Sequence, residues 1–293
     1  MPRTTKSGFQ RSLSEREFAY TKCKNVVCAY VLLDLTSTLM AKDGYFAVGP
    51  DQPHQLPRYL RCLPPCLLLV YREVLSLVAC LSHILSENSL IDLLQHWTLS
   101  TLFPSRSGLW MHASTFGSFS QVLDRGLSGW WGAFWHQTFR VPFHAPVRFL
   151  MREGYIEAGT AAADVVSIWV TFLQSGLLHA SGSLSSISKT KPWRPLQFFL
   201  LQALGILVQR AASRVVRRPL KPLSRQLRRG VNLAFALVWL YLTVGLYFDD
   251  VASAGLWTLQ PVRVSLFRGL GLGSADERWP LWDHEIFARR HDH

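Results

Sequence analysis

Acidic residues are missing from one long stretch of this 293-residue chain: none lies between Asp164 and Asp249, while eleven basic residues do. Charge of either sign is scarce overall, at 17% of residues against roughly 25% in soluble domains. Hydrophobic residues reach 49% and there are 11 tryptophans, a balance that favours a membrane protein. The mean hydropathy of +0.14 is low for that class. Much of the chain should therefore lie in loops, at the membrane interface or around a wet cavity. Cysteine is sparse too. The five residues Cys23, Cys28, Cys62, Cys66 and Cys80 are odd in number and lack zinc-type pairing, so reduced structural thiols are expected. The polar, basic start MPRTTKSGFQRSLSEREF is not closely followed by a compact apolar run with a cleavage site, and no cleavable signal peptide is expected.

Several catalytic signatures are absent as well. There is no Gly-x-Ser-x-Gly elbow and no His-x-x-x-Asp motif. The glycine-rich RGLGLGSADE (268–277) lacks the third glycine of the dinucleotide fingerprint and follows no clear strand, so it reads as a turn. His284, His291 and His293 lie in a charged tail and carry no expected role; no metal is expected.

A net charge of +12 raises the question of nucleic acid. Its distribution argues against that partner. Arg210, Arg214, Arg217, Arg218, Lys221, Arg225, Arg228 and Arg229 sit together between two apolar segments. A basic loop joining apolar segments is what the positive-inside rule expects on the cytoplasmic face.

The strongest apolar run, VNLAFALVWLYLTVGLYF (231–248), has no charge in 18 residues. As a helix it spans about 27 Å, close to a hydrocarbon core of roughly 30 Å. PLQFFLLQALGILV (195–208) is short and predicts a tilted or half-buried helix, and 160–180 is a third candidate. VVCAYVLLDLTSTLM (26–40) carries Asp34, and CLLLVYREVLSLVACLSHIL (66–85) carries Arg72 and Glu73. Charges there should face a bundle interior. Arg72 and Glu73 are adjacent and point about 100° apart on a helix, so they cannot neutralise each other, and 66–85 is expected to be interfacial. The Ser-, Gly-, Pro- and Trp-rich 98–150 reads as a long structured connection. The expected layout is a polar basic segment over 1–25, a membrane domain over 26–265 and a charged tail over 266–293.

Two histidines stand in apolar company. On a helix over 160–180, stepping back from His179 gives Ser175, Thr171, Ser167 and Asp164, one drifting polar stripe. Val165, Ile168, Trp169, Val170, Phe172, Leu173 and Leu177 fall on the other face. Such a stripe either lines a water-accessible path or hydrogen-bonds a neighbouring helix, and a lone histidine can serve as interhelical glue. Imidazole titrates near neutrality, so it can also take a proton from an alcohol and return it. Gly176 would let a substrate or another backbone come close. The second histidine, His136, sits in WWGAFWHQTFR (130–140), where a merely interfacial role is the alternative.

These two motifs together resemble the membrane-bound O-acyltransferase superfamily, specifically its wax-synthase-like branch with fungal acetyltransferases of terpenoid and meroterpenoid pathways. Trp131, Gly132, Trp135, His136 and Gln137 match the branch's Phe-Trp-Gly-Arg-Arg-Trp-His-Gln type motif, and Ser175, Gly176 and His179 match its Ser-Gly-Leu-Leu-His motif. The likeness extends over roughly 120–260. Ala133 and Phe134 stand where the branch usually has two arginines, and Gln209 where it commonly has glutamate. The resemblance implies an all-α polytopic membrane bundle with a tunnel around a central histidine, in the endoplasmic reticulum. It implies acetyl transfer from acetyl-CoA, a co-substrate rather than a bound cofactor, to a hydroxyl on a hydrophobic alcohol. His179 would be the base. His136, with Trp131, Trp135, Gln137, Ser175 and Gly176, would position the acyl donor or the developing oxyanion. A long-chain wax synthase and a catalytically inactive membrane relative are the alternatives.

Overall fold

A computed structural model describes residues 2–5, 8–186, 190–220, 224–258, 262 and 264–273. The elements in order are α1 (Glu15–Met40), α2 (Gly44–Val48), α3 (Pro65–Leu102), α4 (Ser120–Arg125), α5 (Leu127–Gly129), α6 (Arg140–Arg152), α7 (Ala161–Leu184), α8 (Trp193–Leu220), α9 (Arg225–Thr243) and α10 (Gly245–Ser253). Among the described residues the only β pairings are two isolated bridges, Thr4 with Gln10 and Arg11 with Ala113.

The helix starts follow from local chemistry. Ser14 accepts the Glu17 amide at 3.2 Å while Glu17 Oε2 accepts the Leu13 amide at 2.9 Å, a close variant of the capping box. Pro65 opens α3 at a position whose N–H has no helical partner. Thr160 caps α7 through the Ala163 amide at 3.2 Å, and Ser224 caps α9 through that of Leu227 at 3.2 Å.

Among the described residues five helices are long and apolar enough to cross a membrane: Glu15–Met40, Pro65–Leu102, Ala161–Leu184, Trp193–Val215 and Arg225–Ser253, the last running through α9 and α10. The chain is an all-helical, polytopic membrane bundle. α1 lies along α3, and α7 along α8. Large apolar side chains such as Leu177, Val238 and Leu242 are exposed on the outside, the arrangement lipid permits and water does not.

One expectation about the apolar segments needs correction. The segment 66–85 is no separate interfacial piece but the first half of α3, a 38-residue helix. Its charge is tolerated because Arg72 finds Asp43 rather than Glu73, donating from Nε and Nη2 at 2.8 and 2.9 Å. The apolar run at 195–208, read as a helix extended by Gln209 and the residues after it, does continue in that way, from Trp193 through Leu220. Asp34 does face the interior, fully buried, where its carboxylate accepts the amides of Leu266 and Phe267 at 2.6 and 3.1 Å and the Ser265 hydroxyl. The 98–150 connection resolves into short helices ending in α6. The basic residues expected in a loop lie largely on helices, Arg210 and Arg214 on α8 and Arg225, Arg228 and Arg229 on α9; Arg229 reaches Asp124 at 2.6 Å and Arg210 reaches Asp164 at 3.8 Å. Lys221, the side chains of Arg217 and Arg218, and the tail with His284, His291 and His293 lie outside the described residues.

Candidate active site

Residues Asp164, Ser167, Thr171, Ser175 and His179 of α7 all line one cavity of about 1500 Å³. α3, the 130–140 segment and helices α6, α8, α9 and α10 form the rest of its wall. The polar stripe is thus the cavity-facing side of α7. Ile168 and Phe172, expected on the other face, line it too, because the exposed arc is broader than one row. Val165, Trp169, Leu173 and Leu177 point outward. Gly176 does not line the cavity. A Cβ there would fall 2.8 Å from Leu196 Cδ1 and 3.1 Å from Leu196 Cα, so this glycine lets α7 and α8 touch.

His179 stacks on Phe199 with ring centroids 4.7 Å apart and planes within 11°. Its Nδ1 lies 3.2 Å from the Tyr247 hydroxyl of α10. That contact governs which nitrogen can act. If Nδ1–H donates to the phenol oxygen, Nε2 keeps its lone pair and is a base. If the phenol donates, Nε2 carries the proton and can only be a donor. Tyr247 is therefore the orienting partner that spacing alone did not reveal.

The other histidine comes from an unusual piece of backbone. Trp130–Phe134 winds as one π-helical turn, which extended Trp135 ends at ψ 152°. Wide turns of this kind are rare and concentrate at functional sites. Trp130, Phe134 and Trp135 pack on each other, with centroids 5.3 to 6.2 Å from Trp130. Trp131 packs on Phe172, Phe198 and Phe199, the ring beneath His179. An aromatic wall thus joins the two motifs, and His136 and His179 open on the same cavity. His136 Nδ1 meets Thr138 Oγ1 at 3.2 Å, and burial holds its imidazole below the ordinary value of 6.5. His144, whose Nδ1 lies 3.3 Å from the Ser167 hydroxyl, is lowered by burial and then by Arg140 and Arg148.

Gln137 lines the cavity but spends its amide on the turn: Nε2 donates to the carbonyls of Trp135 and Trp131 at 2.7 and 3.1 Å, and Oε1 accepts from Arg140 at 3.0 Å. Buried Ala133 and Phe134, stacked on Phe116, give apolar contact where the related motif has charge. Cationic groups still reach the cavity, from Arg125, Arg140 and Arg210.

A polar thread through the core also escaped sequence reasoning. Fully buried Gln202 accepts from Trp131 Nε1 at 3.4 Å and donates to Thr243 Oγ1 at 3.0 Å. Seven residues on, Gln209 Oε1 accepts the Leu127 amide at 2.9 Å. Gly126, at φ +58°, makes this possible: a Cβ would sit 1.9 Å from Gln209 Nε2. Gln202 and Gln209, seven apart in the otherwise apolar stretch 198–209, were the available signal, since that spacing puts both on one face.

Residues 112–201 match the Membrane bound O-acyl transferase family. Over 164 residues the chain is 29% identical to the acetyltransferase eriL of Hericium erinaceus, covering 54% of this chain and 38% of that one. It is 30% identical over 137 residues to the acetyltransferase aurG of Calcarisporium arbuscula, covering 45% and 32%. With the acetyltransferase atnC of Arthrinium sp the identity is 29% over 171 residues, covering 55% and 39%. The aligned part of the chain thus spans about a third to two fifths of these relatives. No solved structure matches. The matched segment holds both histidine motifs, the π turn and the start of α8, and over it the chain is similar to the membrane bound O-acyl transferase family.

Proposed function

We propose that the protein is a membrane O-acyltransferase that moves an acetyl group from acetyl-CoA to a hydroxyl of a hydrophobic metabolite of terpenoid or meroterpenoid type. The observation that carries the reading is His179: a ring on the wall of a large cavity, with Nδ1 held 3.2 Å from Tyr247 and a second histidine on the same cavity. With Nδ1–H donating to Tyr247, Nε2 takes the acceptor's O–H proton as its oxygen forms a C–O bond to the thioester carbonyl. The C–S bond then breaks, and the imidazolium returns its proton to the leaving coenzyme A sulfur.

The tetrahedral oxyanion needs preorganised donors. Trp130 and Thr171 line the cavity, and Trp130 Nε1 and Thr171 Oγ1 are buried with no partner among the described residues, so a small shift of either side chain would supply a donor. His136 positions the donor or this oxygen, Trp131 and Trp135 shape the wall, and Gln137 holds the turn that presents them. Ser175, one turn before His179, offers a hydroxyl to the acceptor. Arg125, Arg140 and Arg210 form the electropositive approach for the anionic coenzyme. The names of the relatives favour acetyl over a long acyl chain. The proposed setting is the endoplasmic reticulum membrane.

The test uses microsomes bearing the protein, labelled acetyl-CoA or palmitoyl-CoA, and a panel of terpenoid and fatty alcohols. Acetyl esters formed by the unaltered protein but not by His179→Ala at equal protein level support the reading. Palmitoyl esters alone would make it a wax synthase, equal activity in both proteins would remove His179, and no ester from any donor would indicate an inactive relative.

A further inference from the structure

One ionisable group on the cavity wall has no task in this mechanism. Glu73 of α3 lines the cavity, and its Oε1 is buried without a hydrogen-bond partner among the described residues. Its neighbour Arg72 cannot serve, being committed to both oxygens of Asp43 and lying 4.4 Å above the Tyr45 ring. Its cavity-lining neighbours on α3, Val70, Val74 and Leu77, are apolar, and the charge that acts on it is that of Asp249, of like sign. A carboxyl group on such a wall costs free energy unless something hydrogen-bonds it. No described residue hydrogen-bonds Glu73 Oε1, so the ligand is the natural source of a partner for this carboxyl group.

The geometry also indicates which ligand. Glu73 follows Arg72, whose partner Asp43 caps α2. α2 joins α10 through Tyr45 and Asp249 at 2.8 Å, and α10 joins the start of α8 through Asp250 and the Lys191 amide at 2.7 Å. Arg210 and Asp164 mark the opposite ends of α8 and α7. Glu73 thus sits towards the end of the cavity remote from Arg210. A polyanionic acyl donor is drawn to the arginine end and repelled by a carboxylate, which leaves the remote end to the acceptor.

We propose that Glu73 positions the acceptor by accepting a hydrogen bond from a second hydroxyl, so that preferred acceptors are hydrophobic molecules carrying two or more hydroxyls. The inference rests on the acyltransferase reading above. Farnesol and 12-hydroxyfarnesol, which differ by one distal hydroxyl, are the probes, with labelled acetyl-CoA and the full chain in lipid nanodiscs. The unaltered protein should prefer the diol by about ten-fold in kcat/KM. Glu73→Leu should bring the ratio close to one while farnesol turnover and the KM for acetyl-CoA move less than about two-fold. Glu73→Gln, which keeps an acceptor oxygen, should retain most of the preference. Equal use of the two alcohols by the unaltered protein, or an undiminished preference in Glu73→Leu, would overturn the proposal. If no ester forms at all, the acyltransferase reading fails, and unfolding temperature becomes the readout. The diol should then raise it more than farnesol does in the unaltered protein but not in Glu73→Leu, and equal shifts would overturn the role of Glu73.

Discussion

Two of the groups of ionisable side chains inside this bundle are built to opposite ends. Between α1 and α3, Lys22 is only 3% exposed and places Nζ 2.5 Å from Asp92 Oδ2 and 3.2 Å from the Ala113 carbonyl. His112 Nδ1 lies 3.0 Å from the other Asp92 oxygen, and the Phe18 ring covers His96 and His112. Lys22 and Asp92 are mutually neutralised, and none of these groups lines the cavity. Across the bundle, His179 has one neutral partner, Tyr247, and faces open space. His96 Nδ1 and His112 Nε2 also lack partners among the described residues, so what sets His179 apart is its place on the cavity. Burial alone does not separate them, and free bonding capacity beside a cavity does.

The sharpest way to break this contrast is His179→Ala. Ester formation should fall by about 10⁴-fold, with helical circular dichroism and unfolding temperature unchanged. Asp92→Ala should do the reverse. It strands buried Lys22 and should cost about 3 to 5 kcal/mol in denaturation measurements, while turnover per folded molecule holds. Tyr247→Phe keeps the ring but removes the tautomer-setting oxygen, and should lower kcat by about 10²-fold with little change in the KM for acetyl-CoA. Gly176→Ala pushes a methyl into Leu196 and should destabilise by about 1 to 3 kcal/mol, read as a lower denaturation midpoint.

The smallest effect is a pH slope. Folded His136 stays neutral below the ordinary value of 6.5, whereas the unfolded chain binds a proton there. Stability should therefore fall as pH drops from 6.5 towards the lowered native value, and be flat above it. His136→Gln should remove up to about 1.4 kcal/mol per pH unit from that slope. An unchanged slope would show that His136 makes no such contribution.

Much of the architecture was legible because the bilayer imposes it. The uncharged run at 231–248, the helix over 160–180 and its polar stripe are period and composition effects, and periodicity survives without tertiary knowledge. The π turn at Trp130–Phe134 was not legible: its form depends on Gln137 gathering carbonyls and on tryptophans finding each other. The misjudged interfacial segment shows the same limit, since the partner of Arg72 lies 29 residues away rather than next to it.

The sequence by itself determined that this chain would be a helical membrane bundle with a histidine at the end of a polar helix stripe. Apolar length and side-chain period are local quantities, and they suffice for that. Only the tertiary structure decided that His179 would meet Tyr247, that both histidines would share a cavity, and that Glu73 Oε1 would find no partner among the described residues. Those facts are distances between residues far apart in the chain, set by how the helices pack.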